Sequence, residues 1–264
     1  MKSLEDLAKI AEQAANLGAE LVKNTTPHQV TQKSDRDVVT DVDIKVEQEV
    51  RAYLQRFTPE CGFLGEEEGQ TGSDEYVWTL DPIDGTSNYA HGLPLCAVSL
   101  ALVHDGRPLV AAIIAPFLDL HYTATKGAGS FVNGQRMRTS RTSELRKAIV
   151  SIGDYAVGPD AEAKNRRRIR LTALLAERVE RIRMFGSAAL DLAWLAEGRT
   201  DAAIILSNKP WDTAAGILLA REAGAFVMDS SGEPHTIHAS DTIVASPGLV
   251  DVIIPVVQDA GHVT

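Results

Sequence analysis

The sequence predicts a mixed α/β (α+β) fold with two unlike halves, and three patterns along the chain support this. An amphipathic helical pattern comes first, strand patterns joined by short turns fill the middle, and strands alternate with helices after about residue 147. Strand–helix alternation is typical of an α/β architecture. We therefore expect halves at residues 1–147 and 148–264 that share a core.

The first half combines two helices with a run of strands. Apolar residues recur near a 3.6-residue period over 4–22, and again over 42–54 after the polar stretch 25–37. The segment YVWTL (76–80) reads as a strand that ends at Asp81-Pro82. Further strand patterns occupy 96–103, 108–117, 121–127 and 131–137, with Asp-Gly and Asn-Gly turns between them. These patterns predict an antiparallel meander beside helices.

The second half alternates. Strand patterns lie at 148–153, 181–185, 201–206, 225–229 and 241–246, and helical patterns lie at 160–178, 187–197, 213–223 and 249–259. Neither a repeat nor a Pro/Gly/Ser-rich linker separates the two halves.

Composition narrows the class of protein. No apolar run approaches the roughly 20 residues of a membrane span, and the N-terminus carries acids where a signal peptide would be basic. The two cysteines, Cys61 and Cys96, are too few for a disulfide scaffold, which favours a reducing cytoplasm. We therefore expect a cytoplasmic protein without a membrane segment.

The charge balance sets a problem. Lys and Arg number 26 against 36 Asp and Glu, a net charge of −10, whereas nucleic-acid binders are usually basic. Nucleic acid is therefore not expected as a partner. An acidic protein should also repel anionic substrates unless some of its acids hold cations.

Three acidic segments stand at the ends of predicted elements. They are Gly65-Glu66-Glu67-Glu68-Gly69, Asp81-Pro82-Ile83-Asp84-Gly85-Thr86 and Pro210-Trp211-Asp212. Taken singly, they read as a solvated surface run, a capped turn and a helix N-cap. Taken together, they can gather carboxylates around Mg²⁺, which prefers oxygen ligands and substrate phosphate. Gly85 permits close backbone approach, and a helix starting at Thr86 would offer free N–H groups to phosphate.

These segments resemble, in the same order, the motifs of the inositol monophosphatase family of Mg²⁺-dependent, lithium-sensitive phosphatases. VVTDVD (38–43) and GSAALDLAWLAEGRTDAA (186–203) match as well, so the resemblance covers nearly the whole chain. It implies a layered αβαβα sandwich like that of inositol monophosphatase and fructose-1,6-bisphosphatase. The antiparallel sheet would lie in the first half, with the active site between the halves. A homodimer is implied too.

The resemblance also implies a metal site of two to three Mg²⁺ ions. Glu66, Asp81 and the carbonyl of Ile83 would hold the first ion. Asp81, Asp84 and Asp212 would hold the second, with Asp81 bridging the two. A third ion would lie near Glu66 through waters.

The same resemblance assigns the remaining roles. Thr86 and Asp43 would orient the attacking water near Glu66, and Asp84 with the N–H groups of Gly85 and Thr86 would receive the substrate. The substrate's ring would touch the segment Gly186-Ser187-Ala188. No covalent phospho-enzyme is needed.

One position departs from the family pattern. Many relatives that hydrolyse inositol phosphate have a glutamate seven residues before the WD aspartate, where this chain has Ile205. An aliphatic side chain cannot accept a hydrogen bond from a ring hydroxyl. Ser207, Asn208 or Lys209 would compensate as a substrate contact, or this loop is simply an exposed turn.

Two other features are open to two interpretations. Asp191 faces either the pocket or the helix surface. The run Lys164-Asn165-Arg166-Arg167-Arg168 is better read as a solvated helix face than as a nucleotide site, because no aromatic residues interleave it.

The sequence thus favours a Mg²⁺-dependent phosphomonoesterase acting on a small polyol or sugar-like phosphate, with inositol 1-phosphate as first candidate. Histidinol phosphate, fructose 1,6-bisphosphate and a 3′-phosphoadenosine nucleotide are the alternative substrates. A hypothesis of another class is a non-catalytic regulatory binding protein on the same scaffold.

Overall fold

The computed structural model describes residues 2–158, 160–237 and 239–261. Its α-helices are α1 (Leu4–Asn24), α2 (Asp41–Phe57), α3 (Thr86–Ala90), α4 (Ala161–Ala176), α5 (Ala188–Ala196), α6 (Pro210–Glu222) and α7 (Val250–Gly261). Its strands in the first half of the chain are β1 (Val30–Ser34), β2 (Asp37–Thr40), β3 (Gly62–Gly65), β4 (Gly69–Thr71), β5 (Tyr76–Asp84), β6 (Ala97–His104), β7 (Arg107–Ala115), β8 (Leu120–Thr125), β9 (Gly129–Val132) and β10 (Gln135–Arg136). The later strands are β11 (Ile149–Ile152), β12 (Arg181–Arg183), β13 (Ala202–Ile205), β14 (Phe226–Met228) and β15 (Thr242–Ala245).

Two larger sheets form the frame. The first has the strand order β10-β9-β8-β7-β6-β5-β3-β4 and is antiparallel except where β3 runs parallel to β5. The predicted meander is confirmed, since consecutive strands from β5 to β10 are neighbours. The second sheet has the order β12-β11-β13-β15-β14, with β11 parallel to β12 and β13, and with β15 antiparallel to β13 and β14.

The helices complete a five-layer αβαβα sandwich, as the resemblance implies. Helices α1 and α2 pack on one face of the first sheet, α5 and α6 lie between the two sheets, and α4 and α7 cover the second sheet. The central layer is buried on both sides, and this explains why α5 and α6 are apolar around nearly their whole circumference. The division at residue 147 stays a prediction. In the described ranges, no helix is both long and apolar enough to cross a bilayer.

Two features near the site differ from the expectation. The polar stretch 25–37 contains β1, which pairs with β2 as a hairpin although every residue of β1 is exposed. The segment DPID does not end the strand, because β5 continues through it to Asp84. Its pairing with β6 shifts register between Asp81 and Asp84, and such an irregularity accommodates Pro82, which has no N–H to donate.

Candidate active site

The end of β5 places two carboxylates in a common cavity. Asp81 and Asp84 are only 3% and 7% exposed, and both line a cavity of ≈ 360 Å³ together with Glu66 and Asp212. Three separate chain segments therefore meet there: the end of β5, the turn after β3 and the first turn of α6. We call this space the carboxylate cavity.

Asp84 is held by the N-terminus of α5. Its Oδ2 accepts a 2.6 Å hydrogen bond from Ala189 N–H and another from the Ser187 hydroxyl, and its Oδ1 accepts from Ala188 N–H at 3.2 Å. Burial raises the pKa of Asp84 to about 6, although these three hydrogen bonds oppose the rise. Ser187 thus positions Asp84, while Gly186, Ser187 and Ala188 also line the adjoining cavity described below.

Thr86 and Asp43 form the predicted pair. The Thr86 hydroxyl lies 3.0 Å from Asp43 Oδ1 and 2.9 Å from the carbonyl of Ile83, and its one proton is donated to one of them at a time. Asp43 in turn accepts hydrogen bonds through Oδ2 from the Thr40 amide and hydroxyl, which is the capping box of α2. Burial raises the pKa of Asp43. The Thr86 oxygen is therefore held in a fixed place at the cavity wall.

Gly85 allows two segments to meet behind this wall. Its φ is +91°, and a Cβ there would lie 2.8 Å from the carbonyl oxygen of Leu95 and 3.1 Å from that of Gly186. A larger residue would therefore separate the end of β5 from the start of α5.

The turn 66–68 is held in place by Glu47, a residue that the motifs do not include. Glu47 of α2 is fully buried, and its carboxylate accepts the backbone N–H groups of Glu67 and Glu68 at 2.8 and 2.9 Å. A Cβ on Gly65 would overlap this carboxylate. The sequence contained a signal for this, because Glu47 lies on the helix face that also carries Val46, Val50 and Leu54.

Lys33 also belongs to the site without having been predicted. It extends from β1, and its Nζ lies 2.9 Å from Glu66 Oε1 and 2.5 Å from Glu67 Oε1. Burial opposes the charge of Lys33, but the hydrogen bonds to the two glutamates raise its pKa. Burial raises the pKa of Glu67 to about 7, even though the lysine favours its ionised form.

The other acids repel one another. Burial raises the pKa of Asp81 well above its ordinary range, and the charges of Glu66 and Asp84 add to the rise. The same causes act on Asp212, where nearby Lys209 opposes them.

The donor set fits a hard divalent cation, although it is not preassembled. Among the described side chains, no three Asp, Glu, His or Cys groups already converge as a ligand set. Lys33 holds Glu66, and α5 holds Asp84. The mutual repulsion of buried carboxylates is nevertheless what a bound cation relieves, and carboxylate oxygens are the ligands that Mg²⁺ takes.

A second cavity of ≈ 460 Å³ adjoins the first and shares Asp84 and Asp212 with it. We call it the side cavity. Ile205, at the end of β13, lies in its wall, as does the fully buried Asp191. Asp191 therefore faces the pocket, and burial raises its pKa well above the ordinary range.

The basic run of α4 is only partly a solvated face. Arg166 is exposed and pairs with Glu162 at 2.8 Å, as expected. Arg168 is 6% exposed and lines the side cavity, so the solvated-face prediction is wrong for it. Arg168 lies on the inward stripe of α4 with Leu171 and Leu175.

Asn208 has other partners than a substrate. Its amide Nδ2 donates to the carbonyl of Ala239 at 2.9 Å, and its Oδ1 accepts the Thr242 hydroxyl at 2.8 Å. Nε2 of His235 lies 3.0 Å from the same amide nitrogen. The side-cavity wall contains Lys209 and Ser207 instead. A substrate contact by Asn208 stays a prediction that these hydrogen bonds do not support.

A five-layer sandwich with buried carboxylates at the end of a central strand is characteristic of a class of phosphoric monoester hydrolases. The similarity of this chain to known proteins agrees with that class. The profile of the Inositol monophosphatase family matches residues 3–262. The Nus factor SuhB of Xylella fastidiosa is 38% identical over 226 residues, which is 86% of this chain and 81% of that protein. The fructose-1,6-bisphosphatase/inositol-1-monophosphatase of Aquifex aeolicus is 33% identical over 98% of this chain and 97% of that protein.

A solved structure has the same fold. The extragenic suppressor protein suhB from Bartonella henselae superposes with a TM-score of 0.89 at 32% identity, covering 96% of this chain and 98% of that one. The chain therefore belongs to the inositol monophosphatase family, and it is a phosphatase. Members of this family are generally metal-dependent.

Proposed function

We propose that the protein is a Mg²⁺-dependent phosphomonoesterase that hydrolyses a small polyol or sugar-like phosphate. The observation that carries the proposal is the shared cavity of Glu66, Asp81, Asp84 and Asp212 beside the Thr86–Asp43 pair. These four side chains, with the carbonyl of Ile83, would hold two to three Mg²⁺ ions. When bound, Mg²⁺ supplies a Lewis acid that acidifies water and stabilises charge on phosphate oxygens.

Thr86 and Asp43 orient the attacking water in this proposal. The Thr86 hydroxyl donates its hydrogen bond to Asp43 or to the Ile83 carbonyl. Its oxygen is therefore free to accept a hydrogen bond from water. The water oxygen forms a bond to phosphorus as the ester P–O bond breaks, and the proton that the water loses ends on the leaving oxygen, so that an alcohol and phosphate are the products. The N–H groups of Gly85 and Thr86 stand ready to receive phosphate oxygens.

Inositol 1-phosphate is the first candidate substrate, and the name of the A. aeolicus relative supports it. The same name supports fructose 1,6-bisphosphate. Histidinol phosphate and a 3′-phosphoadenosine nucleotide complete the panel, because Ile205 removes the carboxylate that would recognise ring hydroxyls. Lithium inhibition, a homodimer and a cytoplasmic location are further expectations.

Phosphate release from this panel with and without Mg²⁺ tests the proposal. Asp84→Asn and Asp212→Asn should each nearly abolish turnover. Both variants should keep the circular dichroism spectrum of the unmodified protein and a cooperative unfolding transition. Asp119→Asn is the matched control, since Asp119 is exposed and its carboxylate pairs with no described residue other than Lys23 at the surface. Full activity in either site variant would contradict the assignment of these aspartates as metal ligands.

A regulatory binding role is the other candidate, because the X. fastidiosa relative is named a Nus factor. The binding role would be favoured if no ester in the panel released phosphate and if the tagged protein retained a partner.

A further inference from the structure

We propose that Arg168, Lys164 and Lys209 form an anion subsite in the side cavity, and that the substrate carries a second phosphate group there. This inference rests on the proposed phosphatase function and narrows its substrate class.

The first observation is that Arg168 is a buried guanidinium that has no counter-ion in the part of the chain that the structure describes. Arg168 Nη2 donates to the carbonyl of Leu206 at 3.2 Å, and this is its one side-chain hydrogen bond to the described residues. Within those residues, neither Arg168 nor Lys164 forms an ion pair. Burial lowers the pKa of Arg168, with neighbouring Arg167 adding to the effect. A buried cation is stabilised by an anion, and the planar guanidinium fork suits phosphate.

The second observation is that two lysines face the same space. Lys164 stands one turn before Arg168 on α4, and Lys209 is the N-cap residue of α6. All three cations line the side cavity. Lys209 also lies near Asp212, where its charge opposes the rise that burial causes in the pKa of that acid. The three cations therefore border one continuous space that begins beside the carboxylate cavity.

Five acids also line this cavity, but in the described part of the chain none of them forms an ion pair with the three cations. Asp84 and Asp212 lie at its boundary with the carboxylate cavity, where the proposed ions would neutralise them. Asp154 and Asp191 also line the cavity, and burial raises the pKa of both. Asp37 lies on the β1–β2 hairpin.

The shape and polarity of the cavity agree with a substrate larger than a bare monophosphate. Its ≈ 460 Å³ falls in the range of roughly 300–1,000 Å³ usual for small-molecule pockets. Ile205 and Leu206 make one wall apolar. A substrate that is recognised through an anionic group fits such a wall better than a substrate whose ring hydroxyls need several hydrogen bonds.

This subsite discriminates among the candidate substrates. The ammonium group of histidinol phosphate would meet three cations. Inositol 1-phosphate has no second anion to place there. A sugar or nucleoside bisphosphate has one.

Matched substrate pairs test the inference. Fructose 1,6-bisphosphate is compared with fructose 1-phosphate, and adenosine 3′,5′-bisphosphate with adenosine 3′-phosphate, so that the two arms separate a sugar from a nucleoside. The readout is the ratio of kcat/KM for the bisphosphate to that for its monophosphate. In the unmodified protein we expect a ratio of roughly ten or more for one pair, the size of one charged hydrogen bond.

Lys164→Ala and Lys209→Ala change exposed side chains and should each lower this ratio severalfold. Arg168→Lys should lower it as well, because a lysine cannot form the two parallel hydrogen bonds of the fork. Arg170→Ala is the control, since Arg170 is exposed on α4 and outside the cavity wall. A ratio near one in the unmodified protein, or one that none of the three variants changes, overturns the subsite.

A titration calorimetry experiment with Ca²⁺ in place of Mg²⁺ keeps a divalent cation that takes oxygen ligands on the carboxylates, and a phosphate assay of the same sample checks that no ester is hydrolysed during the titration. The dissociation constant of the preferred bisphosphate should rise severalfold in Lys164→Ala and remain unchanged in Arg170→Ala. Equal affinity in both overturns the subsite even if the protein hydrolyses nothing, whereas the proposed function fails only when no ester in the panel releases phosphate.

Discussion

Glu47 illustrates how one buried carboxylate can set the position of an active-site turn. It binds two backbone amides of the turn 66–68 and the guanidinium of Arg51, whose Nη2 lies 2.9 Å from Oε1. Because Glu66 begins this turn, its side chain depends on Glu47 for its position. Glu47 is thus a positioning residue.

We predict that Glu47→Gln raises the Mg²⁺ concentration needed for half-maximal activity by roughly tenfold. The two backbone N–H groups bond to different oxygens of the carboxylate, and an amide has only one acceptor oxygen. Saturating Mg²⁺ should restore part of kcat. Glu49→Gln, an exposed change on the same helix, serves as the control and should match the unmodified protein. An unaltered Mg²⁺ dependence in Glu47→Gln would contradict the positioning role.

His235 ties the loop that precedes α6 to β15. Its Nε2 lies 2.9 Å from the Thr242 hydroxyl and 3.0 Å from the Asn208 amide. Burial, with the charge of Arg221, lowers the pKa of His235 to about 4. Because the unfolded chain binds this proton near pH 6.5, the unfolded state gains protons first as the pH falls.

The contribution of His235 to stability is therefore complete above about pH 6.5 and is lost as the pH falls towards about 4. Urea unfolding at several pH values should show a loss that is smaller in His235→Gln. His91→Gln, which alters an exposed histidine, should retain the full pH dependence. A variant that follows the unmodified protein at every pH would refute this account.

At the scale of elements, helices α5 and α6 set the positions of Asp84 and Asp212. The N-terminus of α5 binds Asp84, and Asp212 lies in the first turn of α6. Gly216 of α6 packs directly on Leu192 of α5, and a Cβ at position 216 would overlap the Leu192 side chain. The glycine therefore allows the close approach of two helices that are buried between the sheets.

Gly216→Ala should lower the free energy of unfolding by about 1–3 kcal/mol through overpacking, although alanine favours a helix by up to about 1 kcal/mol. Leu192→Ala alone should cost about 2–5 kcal/mol. In the double variant the overlap with Leu192 Cγ and Cδ1 is removed while the close contact with the Cβ that alanine keeps remains. The two costs should therefore add to somewhat more than the measured loss. Strict additivity in chemical denaturation would show that the two residues do not interact.

Helix patterns also show why some site residues escape a motif search. On α2, Asp43 and Glu47 fall on the stripe of Val46, Val50 and Leu54, all of them buried. A charged residue on an apolar stripe is a signal that the sequence contains. What it faces is decided by the neighbouring element, here the turn after β3 for Glu47. Arg168 on α4 is a second instance, since it shares a stripe with Leu171 and Leu175.

At the scale of the whole molecule, the net charge of −10 includes a set of acids that repel one another at the cavity. A ligand that binds only the folded protein stabilises it in proportion to the logarithm of its concentration. Mg²⁺ should therefore do more than support turnover.

We expect the thermal unfolding midpoint to rise with Mg²⁺ concentration and to fall in EDTA. Asp84→Asn should reduce the Mg²⁺-dependent rise, whereas Asp119→Asn should leave it intact. K⁺ at equal ionic strength is the control for screening, which acts on all surface charges. A rise of the same size with K⁺ would argue against a specific cation site.

The sequence by itself determined the order of helices and strands and the acidic motifs, because helix and strand periods are local and the motifs are contiguous. The layered arrangement followed from the family resemblance that these motifs carry. It did not reveal the β1–β2 hairpin, since β1 has no buried face to leave an apolar pattern. Tertiary structure alone decided that Lys33 binds Glu66, that α5 holds Asp84 and that Arg168 faces the side cavity. These contacts join residues far apart in the chain, and packing of the layers, not local preference, brings them together.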